Sequence, residues 1–384
     1  MILSEEHLMI RDAVRDFAER ELKPKAAQLD KEGRFPAEIL AEMGKLGFLG
    51  IPFEEKWGGA GADNLSYAIG VEEISRVCGS TGLTMAAHIS LGTYPLWKYG
   101  TDEQKEAYLP NLVSGKYIGA FGLTEPNAGS DAGGTETRAV RDGDSYVING
   151  TKIWMTSGDK AGLITMTART GTEDKGTRGI SAFLVEQGTP GQTVAKHEDK
   201  LGMRGSSTVE MVYEDCRIPT NRILGEEGEG FRIFMDTLDG GRISIGALAL
   251  GIAQGSFEAA VRYAQERVQF GRPIAKFQGI QWMLADMETR IQAARHFIYD
   301  AAVKKDSGRM HKKESAMAKL YASETAMWVT TQSIQIHGGL GYSKEAPVER
   351  MFRDAKLTEI GEGTSEVQRI LIARDVLKEY QITG

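Results

Sequence analysis

The sequence predicts an α+β multidomain fold. An N-terminal α-helical domain covers residues 1–117, a middle β-barrel or β-sandwich domain covers 118–225, and a C-terminal four-helix bundle covers 226–384. Three observations predict it. Apolar residues recur at helical spacing in the first hundred residues. Short alternating runs with turn residues between them fill the middle third. Long seams stepping by four and three return after Gly230.

In the first domain, Ile10, Val14, Phe17 and then Glu21-Leu22 mark one helix face. Phe35-Pro36 opens a further helix with Pro at its first position, and Ile39, Leu40, Met43 and Leu46 form its buried face. KWGGAGADN (56–64) is a loop between helices. Thr101 followed by Gln104 matches a capping box, opening a segment that runs to Leu112.

In the middle domain, YVINGTKIW (146–154) has Asn149-Gly150 between two alternating runs, which predicts a hairpin turn there. LITMTAR, ISAFLVE and TVEMVYED supply further strands.

In the third domain the seams are Ile243, Ala247, Leu250, Gln254, Phe257, Val261, Ala264 and Val268; then Ile280, Leu284, Met287, Ile291, Ala294, Ile298 and Ala301; then Ala316, Leu320, Ser323, Met327, Thr330 and Ile334. A last helix runs from Glu366 to Tyr380. Such seams on consecutive helices indicate an antiparallel bundle. Gly246, Gly251 and Gly255 each weaken the first of these helices by about 1 kcal/mol relative to Ala. They otherwise mark the close approach of a ligand or another backbone.

The composition is that of a globular chain: 384 residues, 41% hydrophobic, 26% charged. A net charge of −7 without a basic stripe argues against nucleic-acid binding. Cys78 and Cys216 form neither a disulfide framework nor a metal-ligand spacing. The charged start, MILSEEHLMIRDAVRDF, has no signal-peptide character, and no uncharged apolar run approaches membrane-spanning length; a cytoplasmic protein is the expectation. Walker A, HExxH and GxSxG patterns are missing, and no GxGxxG follows a strand.

What remains is a set of polar, glycine-containing segments. FGLTEPNAGSD (121–131) is either a β-turn cornered by Pro126 or a turn whose N–H groups hold a phosphate. WMTSG (154–158) sets an aromatic and a hydroxyl at a strand end. RVQFGRPI (267–274) is a basic loop with an exposed Phe270. In QIHGGLGY (335–342) a helix ends on a glycine cap, and His337 is a packed or capping residue rather than a base. In GEGTSEVQ (361–368), Glu362 stands between glycines just before a helix, in a solvated turn or in a loop pressing one carboxylate against a ligand.

Together TEPNAGSD, NGTKIWMTSG, ERVQFGRPIAKFQ, QIHGGLGY and RDAKLTEIGEGTSEVQR resemble, in order and spacing, the acyl-CoA dehydrogenase family, nearest its short- and medium-chain, butyryl-CoA-type bacterial members. The resemblance covers nearly the whole chain. It implies FAD-dependent α,β-dehydrogenation of a short- to medium-chain acyl-CoA to the trans-2-enoyl-CoA, with electrons passed to electron-transferring flavoprotein. It also implies a homotetramer, a dimer of dimers. Glu362 matches the family's catalytic base. Phe121, Leu123, Thr124, Ser130, Trp154 and Thr156 match positions lining FAD. Arg267, Phe270, Gln278, Gln335, Gly338 and Gly339 match positions that reach a neighbouring subunit's FAD, and Thr364 and Glu366 match further cofactor contacts. Ser130, Asp239, Arg242 and Gly363 match substrate positions. Arg242 otherwise reads as a surface arginine pairing with Asp239.

Two departures stand out. Branches of the family that take their base from the position before Arg242 have a carboxylate where this chain has Gly241, and many members have Tyr where it has Gly361. Chain-length and branching preference and the pathway are not implied. An acyl-CoA oxidase or flavin monooxygenase of the same fold, and a flavin-free helical scaffold, are the alternatives.

Overall fold

The computed structural model describes residues 2–171 and 173–381. Helices fill the chain up to Val113: α1 (Glu5–Phe17), α2 (Ala26–Glu32), α3 (Ala37–Lys45), α4 (Asn64–Val77), α5 (Gly79–Ala87), α6 (Tyr94–Tyr99) and α7 (Asp102–Val113). Ser4 caps α1, its hydroxyl accepting from the His7 N–H. The Thr101–Gln104 capping box opens α7 as expected. Two expectations shift by one residue. The apolar face of α1 continues through a wide π turn (Ala18–Leu22), closed by Lys23 N–H donating to the Ala18 carbonyl at 2.9 Å. That turn takes up one extra residue, so Leu22 is buried and Glu21 is exposed. Pro36 caps α3 from outside rather than occupying its first position.

The middle of the chain is one mixed eight-stranded sheet: β1 (Ile118–Gly122), β2 (Arg138–Asp142), β3 (Ser145–Thr156), β4 (Ala161–Arg169), β5 (Ile180–Glu186), β6 (Gln192–His197), β7 (Thr208–Pro219) and β8 (Ile223–Leu224). The order is β6-β7-β3-β2-β4-β5-β8, with β1 parallel beside β4. The sheet curls enough for Tyr146 on β3 to meet Phe183 on β5 edge-on at 5.0 Å, closing a core of its own. Leu163, Leu184 and Leu224 on its other face pack with Leu96, Tyr108, Ile233 and Phe234.

The expected hairpin at Asn149-Gly150 is not there. β3 runs straight through it, and the turn is Gly143-Asp144, closed by the Asp142–Ser145 pair. Gly143 has φ +60°, which a two-residue hairpin needs. Asn149 is tied instead to β7: its Oδ1 accepts from the Asp215 N–H at 2.8 Å, where β7 is bulged and Asp215 sits at φ +48°.

Four long or terminal helices follow: α8 (Gly230–Glu266), α9 (Gln278–Asp306), α10 (Lys312–His337) and α12 (Ser365–Glu379), with a shorter α11 (Pro347–Thr358) that the periodicity missed. A two-stranded hairpin, β9 (Val268–Gln269) with β10 (Arg272–Pro273), joins α8 to α9. Of the expected α10 seam, Ala316, Ser323 and Thr330 are buried while Leu320, Met327 and Ile334 are half-buried, and the buried face also takes in Ala322, Ala326, Val329 and Ser333.

Two of the three α8 glycines mark close backbone approach, whereas Gly246 faces the Ile298 side chain. A Cβ at Gly251 would strike the Glu72 carbonyl, and one at Gly255 the Arg76 carbonyl, so α4 lies directly against α8. Helix α8 is long and apolar enough to cross a membrane, but most of its apolar stretch is buried inside the fold.

Candidate active site around Glu362

Glu362 lies in the tight reversal between α11 and α12. Gly361 N–H donates to the Leu357 carbonyl at 2.8 Å, and Ser365 N–H to the Glu359 carbonyl at 3.0 Å. The reversal needs positive φ at two residues: Gly363 at +93° and Glu362 itself at +54°. A glutamate there is uncommon, and such strain concentrates at functional sites. Thr364 caps α12, its hydroxyl accepting from the Val367 N–H at 3.3 Å. Glu366 is exposed in the first turn of α12.

The Glu362 residue as a whole is half-buried, but its Oε2 is shut from solvent and has no hydrogen-bond partner. Burial pushes its pKa well above the ordinary carboxylate range, against the opposing pull of the Lys319 and Arg242 charges. An unpartnered carboxylate oxygen in a dry site with a raised pKa is what a proton acceptor near neutral pH requires. The space comes from Gly241 on α8, with Leu91 alongside.

Arg242, next in the chain, is 4% exposed and its Nη1 donates to Asp239. The expected pair therefore exists, but inside the fold rather than on a helix surface. Its Nε is buried without a partner. Asp239 also lines a cavity of about 830 Å³ with Tyr67, Ser90, Tyr94, Lys98 and Lys305. A larger groove of about 1290 Å³, between α2 and α11, holds none of the candidate residues.

The second group lies at the sheet edge. Glu125 and Ala128 exchange backbone hydrogen bonds at 3.1 Å each, a β-turn with Pro126 at its corner. Among the described residues, nothing accepts from the backbone N–H of Gly129 or Ser130, and both residues are exposed. The β-turn reading holds, and the turn leaves these two N–H groups unengaged. It is fixed from below by Lys152, fully buried, whose Nζ donates to Glu125 Oε1 at 2.6 Å, Thr167 Oγ1 at 3.0 Å and the Leu123 carbonyl at 3.2 Å. Thr124 accepts at its carbonyl from the Ile153 N–H, which brings Trp154 and Thr156 beside the turn. Trp154 is 56% exposed and held at φ +55°, and Thr156 is half-buried. Phe121 stacks on Phe234 at 4.1 Å. Phe234 and Gly241 are seven residues apart on α8, which is roughly 10 Å of helix.

The third group lies at the far end of the bundle. Phe270 is 93% exposed at φ +52°, in the turn of the β9–β10 hairpin. Arg267, Gln278, Gln335, Gly338 and Gly339 are exposed with it. His337 is packed rather than free: its ring stacks on Tyr263 at 4.4 Å, and its Nδ1 donates to the Ser333 carbonyl at 2.7 Å. That stack draws the ends of α8 and α10 together. Gly241 and Tyr263 are separated by 22 residues, roughly 33 Å along α8, so one chain does not bring this group to Glu362.

The sequence reading missed Lys319, Gln368, the Lys152–Glu125 pair and His88. The signal for Lys319 was there: a lysine inside AMAKLYA, among alanines on the apolar face of α10. His88 is buried and neutral, its Nε2 donating to the Leu112 carbonyl while its Nδ1 accepts from the Gly119 N–H, which ties the helical part to β1. Burial lowers its pKa to about 4.

Models of the N-terminal, middle and C-terminal domains of acyl-CoA dehydrogenases match residues 4–116, 120–216 and 228–377. The chain is 52% identical over 376 residues to the short-chain specific acyl-CoA dehydrogenase of Clostridium acetobutylicum, covering 98% of this chain and 99% of that one. Among solved structures, it is similar to butyryl-CoA dehydrogenase from Megasphaera elsdenii, at 46% identity and a TM-score of 0.96, covering 98% and 99%. It is also similar to a chain from the structure reported as the electron transferring flavoprotein of Acidaminococcus fermentans, at 48% identity and a TM-score of 0.97, with the same coverage.

Proposed function

The chain belongs to the acyl-CoA dehydrogenase family of flavoprotein oxidoreductases, and from that premise we propose that it desaturates a short- to medium-chain acyl-CoA to the trans-2-enoyl-CoA, with Glu362 as the base. The observation carrying this is the buried, unpartnered Oε2 of Glu362, held in a strained reversal and raised in pKa by burial.

The α-proton of a thioester is a weak acid, so the site must supply a base of matched pKa and donors for the developing enolate oxygen. Glu362 takes the pro-R α-proton on Oε2. Gly363 and Gly361 leave the backbone on both sides open, so that the Glu362 N–H can donate to the thioester oxygen. Asp239 and Arg242, locked to each other beside the cavity, hold the pantetheine or nucleotide part of CoA with Ser130 and Gly363. Gly361 leaves room where a ring would stand, since a Cβ there meets only Leu357, at 3.6 Å.

The cofactor this reading calls for is FAD, and the residues present fit it. The unengaged N–H groups of Gly129 and Ser130 suit a pyrophosphate. Trp154, half-exposed at a positive φ, with Phe121, Leu123, Thr124 and Thr156, offers a wall for a flat ring. Bound FAD supplies the acceptor, at N5, for the β-hydride. Thr364 and Glu366 would hold the cofactor from α12. Arg267, Phe270, Gln278, Gln335, Gly338 and Gly339, some 33 Å away along α8, would serve the FAD of a second copy, and the homotetramer, a dimer of dimers, is what the family resemblance adds to that. Electron-transferring flavoprotein is the proposed acceptor of the electrons. The units 1–117, 118–225 and 226–384 are the proposed domains.

The test is the visible spectrum of the pure protein and its anaerobic titration with acyl-CoAs of four to sixteen carbons, with isobutyryl-, isovaleryl- and glutaryl-CoA included. The reading expects a yellow protein bleached by short and medium chains. A colourless protein, or one that no acyl-CoA bleaches, overturns it. Turnover with peroxide and no need for an added acceptor would make it an oxidase.

A further inference from the structure

Lysine is almost never fully buried without a charged partner, because desolvating an ammonium costs several kcal/mol. Lys319, in the middle of α10, is 1% exposed. Among the described residues it makes no direct ion pair. Its Nζ donates to one acceptor, the carbonyl of Gly363, the residue immediately after Glu362. The same carbonyl accepts from Gln368 Nε2 at 2.8 Å, so two donors from two helices hold one peptide. That peptide closes the turn in which Glu362 is forced to φ +54° and Gly363 to φ +93°. Lys319 is thus spent on the backbone of the strained reversal, with the unpartnered carboxylate of Glu362 as the near anion.

We propose that Lys319 is the positioning residue for Glu362: its ammonium clamps the Gly363 carbonyl to fix the left-handed turn and stands as the cation beside the buried carboxylate. This rests on Glu362 being the base. The charged and titratable groups around the pair are Arg242 from α8, itself tied to Asp239; Tyr67 from α4; and Glu359 and Glu366 at either end of the reversal. Lys319 and Arg242 are the two cations acting on Glu362, and both oppose the rise that burial imposes. Arg242 is engaged by Asp239, whereas Lys319 has no such carboxylate in contact. Loss of Lys319 therefore moves the Glu362 pKa further up, and the deprotonated fraction at neutral pH falls.

Two variants separate the clamp from the charge. Lys319→Met removes both, and Lys319→Gln removes the charge while leaving an amide that can donate to the carbonyl. Each is compared with the wild type by FAD content, by the pH profile of anaerobic flavin reduction and by the infrared carboxyl stretch of Glu362, identified as the band missing from Glu362→Gln. The expected result is bound FAD in both variants. The acid limb and the carboxyl titration shift upward by about one pH unit, which at pH 6.5 is a rate loss of about tenfold. The plateau at high pH falls further in Lys319→Met than in Lys319→Gln. An unshifted limb and an unshifted carboxyl band overturn the proposal. So does failure of both variants to fold, because the lysine would then be supporting the bundle rather than the base. If Glu362→Gln still reduces flavin normally, the base assignment fails instead, and the infrared titration still reads what Lys319 does to Glu362.

Discussion

Gly241 and Glu362 compete for one space. A Cβ on Gly241 would fall well inside contact distance of Glu362 Oε2 and 3.1 Å from Leu91 Cδ2. The carboxylate from the α11–α12 reversal thus sits where any side chain at position 241 of α8 would have to stand. A chain of this geometry has room for a side chain from one of these positions and not from both.

Gly241→Ala is accordingly expected to push the carboxylate aside with little harm to the fold. Displacement of a reacting group by about 1 Å costs on the order of 10²-fold. Stopped-flow flavin reduction should show a fall of about that size, with FAD still bound. A rate within twofold of the wild type would mean that Oε2 does not need the position the structure gives it.

Gly255 makes a different kind of contact. Its missing Cβ is room for the Arg76 carbonyl of α4. Gly255→Ala should overpack the α4–α8 contact and destabilise the protein by about 1–3 kcal/mol. Thermal unfolding should show a lowered midpoint, and the reduction rate of the protein that remains folded should be unchanged.

The rate of flavin reduction should also depend on pH in a definite direction. Burial raises the Glu362 pKa, so the base form is lost as pH falls through a value well above the ordinary carboxylate pKa of about 4.3. The acid limb of the anaerobic profile belongs there. A flat profile down to pH 5 would contradict the raised pKa.

Asp354 gives a stability signature separate from catalysis. It is 1% exposed, it accepts from the Met203 N–H, and burial raises its pKa to about 6 against the opposing pull of that hydrogen bond and of Arg350. The folded pKa is above the unfolded one, so the contribution of the neutral carboxyl is complete below about pH 4 and is lost as pH rises through about 6. Over that window the loss is roughly 2–3 kcal/mol. Asp354→Asn should remove it, raising the melting midpoint at pH 7.5 relative to that at pH 4.5. An unchanged difference would show that Asp354 is not the titrating group.

Which parts were legible in the sequence follows from the range of the forces involved. The helix–sheet–helix order is written in local periodicity, and it is there in the structure. So is the glycine cap after His337, set by one residue's freedom. Asn149-Gly150 misled because turn chemistry is local, whereas the Asp215 bulge that uses the asparagine side chain lies on another strand. The wide turn at Ala18–Leu22 shifted a buried face by one residue, which periodicity cannot register. Glu362 was visible as a carboxylate between glycines. Its dryness was not, because Gly241, Leu91 and Lys319 come from other helices. The far group around Phe270 is exposed in the single chain, and the second copy proposed to use it is nothing that periodicity describes.

The central claim is that Glu362 removes the α-proton. Glu362→Gln keeps the shape and loses the base. Mixed anaerobically with butyryl-CoA, the variant should retain its FAD spectrum and lose flavin reduction by at least about 10³-fold, at or beyond the usual cost of losing a general base. Bleaching at close to the wild-type rate would contradict the account.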